Sequence, residues 1–269
     1  MQIKPQLAEN FQATISTMQA KFKKAFFSAG SILFWILLWH IAASVANKKL
    51  LFKIPLPLDT ASEFFNCAIR PDFWYSVGNS LLHIVTGFLA AVILGLVCGM
   101  LSGNSLIFKT LSSPISRLIR SVPVAAFIVL AWLWIPSTII PAFIAFLMVF
   151  PIVWIQIENS LLTIDSKLIE MAKVMGMDKT GIIKNIKIPT VLPSFRNACI
   201  TGLGFAWKSG VAAEVICNPT GSIGAMLSNA KSNLEYARVF AIVLTIVILS
   251  LILENIIKFF WRENRYDKI

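Results

Sequence analysis

Long apolar runs without acidic or basic side chains alternate along this chain with shorter segments that are rich in Lys and Arg. A helix that crosses a membrane needs about 20 predominantly apolar residues. The pattern therefore predicts an all-α, polytopic membrane protein with six spans. The predicted spans cover residues 25–46, 76–101, 121–135, 139–157, 196–217 and 237–260.

The third and fourth spans come from one run without acidic or basic residues, between Ser121 and Ile157. As a single helix this run would be about 55 Å long, well beyond the ~30 Å apolar core of a bilayer. Pro136 and Pro141, with Ser137 and Thr138 between them, predict the break at which the run folds back on itself.

Composition excludes the main alternatives to a membrane protein. Of the 269 residues, 57% are hydrophobic and 14% are charged, whereas soluble domains carry about 25% charged residues. The mean hydropathy is +0.76. A water-soluble globule could not bury this much apolar surface, and the same values exclude an intrinsically disordered chain and a disulfide-stapled scaffold.

The distribution of Lys and Arg predicts the orientation in the membrane. With the N-terminus inside, about 17 of the 24 basic residues fall in inner segments and about six in outer loops. Both termini, including the tail at 261–269, are therefore expected to be cytoplasmic, in a plasma membrane of bacterial type. This distribution accounts for the net charge of +11 without a nucleic-acid partner.

The segment at 1–24 predicts an amphipathic helix on the membrane surface. Its apolar residues recur at helical spacing and precede three lysines: Leu7, Phe11, Ile15, Met18 and Phe22, then Lys21, Lys23 and Lys24. A cleavable signal peptide that ends near Ala46 is the alternative, although the basic region and the apolar run are longer than such peptides usually have.

The cysteines and histidines do not have the sequence spacing typical of metal ligands, so no metal site is predicted. A bridge between Cys67 and Cys217 stays open, since both lie on the outer side in the predicted topology. His40 is expected at the membrane interface, and His83 is expected to form a hydrogen bond between helices.

The largest inner segment, residues 158–195, predicts two amphipathic helices separated at Gly176 and Asp178. Their apolar faces consist of Leu168, Met171, Ala172 and Met175 in the first helix and Ile182, Ile183 and Ile186 in the second. Pro189 and Pro193 are expected to end the second helix before the chain re-enters the membrane. Such a bent pair either docks into a partner or lies as a basic loop on anionic lipid.

This segment resembles the EAA loop of ABC-importer permeases, whose pattern is E-A-A, three residues, G, nine residues, I-x-L-P. The chain matches every spacing, and its two departures, Met171 and Ile188, are both apolar. By this match the coupling-loop positions are Glu170, Ala172, Gly176, Ile186 and Pro189.

Residues 54–65, 87–103, 120–127 and 206–216 are similar to the nitrate, sulfonate and taurine branch of these permeases. The resemblance implies the type I ABC importer permease fold, a permease homodimer, cytosolic ATPase subunits that grip the coupling loop, and an external substrate-binding protein. It also implies that this chain is a non-catalytic subunit in the lipid bilayer without a cofactor, because ATP and Mg would bind to the ATPase. The substrate would be a small anion or an organic compound of this type.

The chain itself offers no phosphate-binding loop. The nearest match, GLGFAWKS at 202–209, has Trp207 where the second glycine is required and lies within a predicted span. The energy for import would therefore have to reach this chain from another subunit.

Two charged residues of the fifth span are candidates for the translocation path. Lys208 lies about 18 Å from the inner end of that span, too deep for its ammonium to reach the interface. It either faces a water-filled path that favours anions or pairs with a structural acceptor. Glu214 is about 240° around the helix from Lys208, so a direct pair is not expected; it faces the path or has a structural role.

Gly95, Gly99 and Gly103 are spaced four residues apart, which predicts close helix packing rather than contact with a ligand.

Two other classes of function have weaker support in the sequence. An ion-coupled secondary transporter needs carboxylates within the membrane, and the spans offer Glu214 and Glu254. A membrane-embedded enzyme needs a cluster of catalytic side chains, which two isolated histidines do not supply.

Overall fold

The computed structural model describes Phe27, residues 30–48 and residues 53–262. The described residues form helices and no β-strand, which confirms the all-α fold class. They divide into two compact units, residues 1–63 and 64–269. The amphipathic helix predicted at 1–24 lies outside the described residues, as does most of the tail predicted at 261–269.

The first unit contains α1 (Gly30–Lys48) and the beginning of α2 (Pro57–Ala68). The side chain of Asn47 closes the connection between them with two hydrogen bonds. Its amide nitrogen donates to the Ile54 carbonyl at 2.9 Å, and its amide oxygen accepts from the Ile54 N–H at 2.7 Å. The end of α1 is thereby tied to the segment that leads into α2.

The second unit continues from α2 through a series of helices of very different lengths. They are α3 (Pro71–Asn104), α4 (Leu106–Ser121), α5 (Val124–Trp132), α6 (Ile140–Leu162), α7 (Ser166–Val174), α8 (Lys179–Ile182), a π-helical segment (Ile183–Lys187), α9 (Ile188–Cys217), α10 (Ile223–Ser232) and α11 (Tyr236–Arg262).

The core of this unit is the contact of α3 with α6, which run parallel. A Cβ added at Gly95, Gly99 or Gly103 would lie 2.9, 2.6 or 2.6 Å from side chains of α6. At Gly87 the added atom would lie 2.0 Å from the carbonyl oxygen of Ala142. Glycine at these positions therefore lets the two backbones approach more closely than any side chain would allow.

Helix α9 packs antiparallel to both helices. A Cβ at Gly202 would lie 2.9 Å from Val149 of α6, and one at Gly210 would lie 2.5 Å from Ile84 of α3. Trp207 is fully buried and donates from its indole N–H to the Ile246 carbonyl of α11 at 3.0 Å. Helices α3, α6 and α9 thus form the centre of the bundle, and α11 covers α9.

In the part of the chain that the structure describes, four helices are long and apolar enough to cross a membrane: α1, α3, α6 and α11. Helices α4 and α5 pass the same test only as a pair, which would make a fifth crossing. Helix α9 has 30 residues but carries Arg196, Lys208 and Glu214. With α9 the number would reach the predicted six, which stays a prediction.

The structure corrects the span predicted at 121–135. Helix α4 ends at Ser121, and α5 contains only nine residues. The two helices are bent by 97° at the break that contains Pro123, whose missing N–H removes a helical hydrogen bond and favours a break. Nine residues rise about 14 Å, so α5 alone is too short to cross a ~30 Å core. The predicted break around Pro136, in contrast, does lie between α5 and α6.

The prediction that Pro189 and Pro193 end a helix is also wrong. Helix α9 begins at Ile188 and includes both prolines. Pro189 lies two residues after the π-helical segment and Pro193 lies inside α9, so each proline removes one helical hydrogen bond without ending the helix. The π-helical segment directly before it connects α8 to α9 without a turn, so the fifth long helix begins at residue 188 instead of 196.

Substitution of Gly99 by alanine is expected to destabilise the fold by about 1–2 kcal/mol, because its Cβ would lie 2.7 Å from the Trp154 carbonyl oxygen. The measurement is thermal unfolding of the purified chain in detergent. The matched control is Gly78→Ala in the same helix, where nothing lies within 4 Å of the added Cβ. Equal melting temperatures for the two variants would contradict the packing described here.

Candidate functional site

The loop between α6 and α9 begins with a capped helix. The carboxylate of Asp165 accepts a hydrogen bond from the Lys167 N–H at 2.9 Å, which satisfies one of the free donors in the first turn of α7. This cap fixes where α7 starts after the end of α6.

Gly176 ends α7 in a Schellman motif. Its φ is +77°, in the left-handed region that favours glycine. The Gly176 N–H donates to the Lys173 carbonyl and the Met177 N–H donates to the Ala172 carbonyl, both at 3.0 Å. The positive φ therefore explains why the EAA pattern has glycine here, since a residue with a Cβ would be strained at this position.

The chain then turns directly into α8. Asp178 caps this helix by accepting from the Gly181 N–H at 2.9 Å, and Ile182 is buried. The π-helical segment that follows has i→i+5 hydrogen bonds, a geometry that often marks functional sites. Helices α7 and α8 are thus a bent pair, as predicted, but α8 leads without interruption into α9.

Some apolar side chains of α7 are buried against the rest of the protein, and others are exposed. Ala172, predicted to share the apolar face, is instead buried. Ile169 is half-buried. Four further apolar residues form an exposed patch, the α7 apolar surface: Leu168, Met171, Val174 and the cap residue Met175, with exposed fractions of 48, 61, 89 and 76%. Of the remaining EAA positions, Glu170, Gly176 and Pro189 are exposed and Ile186 is half-buried.

Polar contacts attach this loop to the bundle. The Lys187 ammonium donates to the side-chain oxygen of Asn104 at the end of α3. The Ser160 hydroxyl of α6 donates to the Thr190 carbonyl of α9 at 2.9 Å. We call this end of the bundle the loop end.

A second polar cluster at the loop end centres on Glu158. Its carboxylate pairs with the Lys109 ammonium at 3.2 Å and accepts from the Ser102 hydroxyl at 2.7 Å. The Trp154 indole donates to the same hydroxyl at 2.9 Å. The cluster joins α3, α4 and α6. Sequence reasoning missed it, although Glu158 stands out as the acidic residue that ends a long apolar run.

Lys208 lies on an exposed face of α9. The exposed residues on this face follow helical spacing: Thr201, Phe205, Lys208, Ala212 and Ile216. A cavity of about 250 Å³ beside it is lined by Lys208, Thr201 and Glu254 among others. Within the described residues, Lys208 has no hydrogen bond or ion pair, whereas Glu254 pairs with Lys258 at 3.6 Å.

Glu214 lies at the opposite end of the bundle. It is 1% exposed, and its carboxylate accepts from the Ser80 hydroxyl at 2.8 Å and from the Gly224 N–H at 3.0 Å. The Ser80 hydroxyl in turn accepts from the Ile223 N–H at 2.9 Å. The carboxylate therefore caps the first turn of α10 and ties it to α3 and α9. This geometry favours the structural role for Glu214.

The remaining sequence expectations concern cysteines and histidines. None of the four cysteines is in a disulfide, so the bridge left open between Cys67 and Cys217 is not formed. His83 was expected to bond between helices, but its Nδ1 lies 2.9 Å from the Asn79 carbonyl of the same helix. Within the described residues, no group of three or more potential ligands could hold a metal ion.

Replacement of Glu214 by alanine is expected to destabilise the fold by about 2–3 kcal/mol, because it leaves the buried Gly224 N–H without its acceptor. The melting temperature in detergent measures the effect. The control is Glu235→Ala, which removes a 40% exposed carboxylate paired only with Arg238 and is expected to cost less than about 1 kcal/mol. A Glu214 variant that melts like the control would return this residue to the candidates for the path.

Comparison with known proteins agrees with this architecture. The taurine transport system permease protein TauC of Escherichia coli is 26% identical over 236 residues, 84% of each chain. The putative aliphatic sulfonates transport permease protein SsuC of Bacillus subtilis is 26% identical over 215 residues, 78% of this chain and 76% of that protein. The nitrate import permease protein NrtB of Synechocystis is 24% identical over 237 residues, 83% of each chain.

The matched family is described as the inner membrane component of binding-protein-dependent transport systems, and the match covers residues 91–266. These residues include both bent helix pairs, α9 and the whole of α11, and they make up more than half of the chain. The chain therefore belongs to the family of binding-protein-dependent transport system inner membrane components.

Proposed function

We propose that this chain forms the translocation path of an ATP-driven importer and receives its energy through the α7 apolar surface from a cytosolic ATPase. The observation that carries the proposal is the exposure of this surface on a helix that is fixed at both ends. Asp165 caps its start and Gly176 its end, so four apolar side chains are held together in one orientation. Exposed apolar patches of this kind mark protein interaction sites.

The distribution of lysines indicates on which side of the membrane the α7 apolar surface lies. Lysines are concentrated between residues 167 and 187, and the positive-inside rule assigns such segments to the cytoplasm. The ATP-hydrolysing partner would then meet the α7 apolar surface from the cytosol. Nucleotide and Mg would belong to that partner, and a substrate-binding protein would dock at the opposite end, near α10.

The exposed face of α9 is the candidate lining of the path. An ammonium without a protein partner is costly in contact with lipid, so Lys208 is expected to face water or a second copy of the chain. In a homodimer the two copies of this face would enclose a path with positive charge. The named relatives transport taurine, aliphatic sulfonates and nitrate, which supports a small anion or related organic compound as the substrate.

Substitution of Met171 by glutamate is expected to reduce co-purification of the ATPase and ATP-dependent uptake at least tenfold. The side chain is 61% exposed in this chain, so the fold tolerates the charge, whereas a docked partner would bury an unpaired carboxylate. The control is Ser166→Glu, which adds the same charge on the opposite side of α7. The measurements are pull-down of the cognate ATPase and uptake in proteoliposomes.

Uptake in the same vesicles separates the two classes of transporter. An importer of the proposed class loses uptake when the ATPase is inactivated and keeps it when an uncoupler collapses the proton gradient. The reverse result would overturn the proposal in favour of an ion-coupled transporter. Full ATPase binding by the Met171 variant would instead exclude the α7 apolar surface as the docking site.

Replacement of Lys208 by glutamine is expected to lower uptake of an anionic substrate at least about fivefold and to leave the melting temperature within a few degrees. The residue has no described protein partner whose loss would destabilise the fold. Lys258→Gln is the control, because it removes an equal charge that is 52% exposed and already paired with Glu254. Unchanged uptake in a folded Lys208 variant would exclude this residue from the path.

A further inference from the structure

A second cavity, of about 520 Å³, lies at the loop end between α3 and the beginning of α9. Its walls are largely apolar and include Leu96 from α3 and Val191 and Phe195 from α9. Its polar residues are Asn104 and Lys187. This cavity is separate from the α7 apolar surface and from the cavity beside Lys208.

The polar and apolar parts of this cavity are ordered along the helix axes. Asn104 ends α3 and Lys187 directly precedes α9, so both lie at the loop end. Leu96 and Phe195 are each eight residues further into the helices, about 12 Å deeper. The cavity therefore has a basic rim at the end of the membrane-spanning helices and an apolar interior towards the middle of the membrane.

Lys187 has unused hydrogen-bonding capacity at this rim. The Asn104 amide nitrogen donates to the Met100 carbonyl at 2.6 Å, which turns its oxygen towards the Lys187 ammonium. An ammonium has three donors. Among the described residues, Asn104 supplies the one acceptor for Lys187, so two donors are available to an anionic ligand.

We propose that this cavity binds one anionic phospholipid of the surrounding leaflet, with its phosphate at Lys187 and an acyl chain along Leu96, Val191 and Phe195. A basic rim above an apolar pocket between membrane helices matches both ends of such a molecule. A small soluble anion would leave the apolar interior empty, and a zwitterionic lipid would place its own cation near the ammonium. Under the proposed orientation the lipid belongs to the inner leaflet.

A lipid in this position would connect α3 to the segment that holds the coupling loop. Lys187 is the last residue of the π-helical segment, which leads directly from α8 into α9. Phosphate bound to Lys187 and an acyl chain against α9 would stiffen the attachment of α7 and α8 to the bundle. Anionic lipid is therefore expected to support transport beyond its general effect on the bilayer.

The test is native mass spectrometry of the full chain in detergent, titrated with phosphatidylglycerol or phosphatidylcholine of identical acyl chains. We expect retention of phosphatidylglycerol about fivefold above phosphatidylcholine, the gain typical of one basic side chain near a lipid surface. Lys187→Gln should abolish the preference, and Lys187→Arg should keep it. Val191→Trp should reduce retention of both lipids by filling the cavity.

Two controls make the assignment specific. Lys184→Gln removes an equal charge from an exposed position of the same π-helical segment and should keep the preference. Val129→Trp adds the same ring at a 57% exposed position of α5 and should keep retention. Each variant is compared only if it elutes like the unmodified chain. If the Val191→Trp variant elutes differently from the unmodified chain, the proposal is tested by the lysine variants alone: Lys187→Gln, Lys187→Arg and Lys184→Gln.

Equal retention of both lipids by the unmodified chain, or equal losses in the Lys184 and Lys187 variants, would overturn the proposal. Full retention in a folded Val191→Trp variant would also overturn it and would indicate that another occupant, such as residues 1–24 or a second copy of the chain, fills the cavity. The measurement involves neither ATP nor the ATPase, so its outcome is independent of the proposed import activity.

Discussion

The close approach of α3 and α6 is the constraint on which the positions of all functional residues depend. Five small residues of α3, from Gly87 through Ala91 to Gly103, remove the side chains that would otherwise separate the two backbones. Lipid tails are as apolar as leucine, so helices in a bilayer associate through such contact and through polar bonds rather than through the hydrophobic effect. With α9 packed antiparallel beside them, the pair sets where the two ends of the bundle lie relative to each other.

Each end of this rigid centre is completed by a buried or half-buried carboxylate. Glu214 joins α3, α9 and α10 at one end, and Glu158 joins α3, α4 and α6 at the loop end. Both carboxylates have several partners, as expected where an unpaired charge would be costly. Lys208 is the contrast, since it lies between these ends on an exposed face. Glu158 and Glu214 thus join several helices, whereas Lys208 has no hydrogen bond or ion pair among the described residues.

The sequence predicted the parts of this structure that depend on local pattern. Apolar runs locate α1, α3, α6 and α11, and the spacing around Gly176 indicates the bent pair of the loop. The bend at Pro123 was missed because the predicted span began at Ser121, directly after the last basic residue of α4, so the end of α4 and all of α5 were assigned to one helix. The continuous helix through Pro189 and Pro193 was missed because proline usually ends or kinks a helix, and residue type alone does not show where the chain continues through it.

The site residues also differ in whether local sequence pattern could predict their roles. The reason for Gly176 could be inferred from its residue type, because a positive φ favours glycine wherever it occurs. The burial of Ala172, the partners of Glu158 and the proximity of Glu254 to Lys208 depend on residues that are far apart in the chain. No periodicity within one segment contains that information, because it arises only when separate helices pack.

The π-helical segment has a geometrical consequence for the length of the loop. Its wider turn contains one more residue than an α-helical path between the same two points would need. Loss of that residue would therefore return the segment to an α-helix while α8 and α9 keep their relative rotation. In a regular α-helix, an additional residue would instead rotate everything before it by about 100° around the helix axis. The π-helical segment is therefore the place where the connection from α8 to α9 accommodates one more residue without a change in the direction of α7.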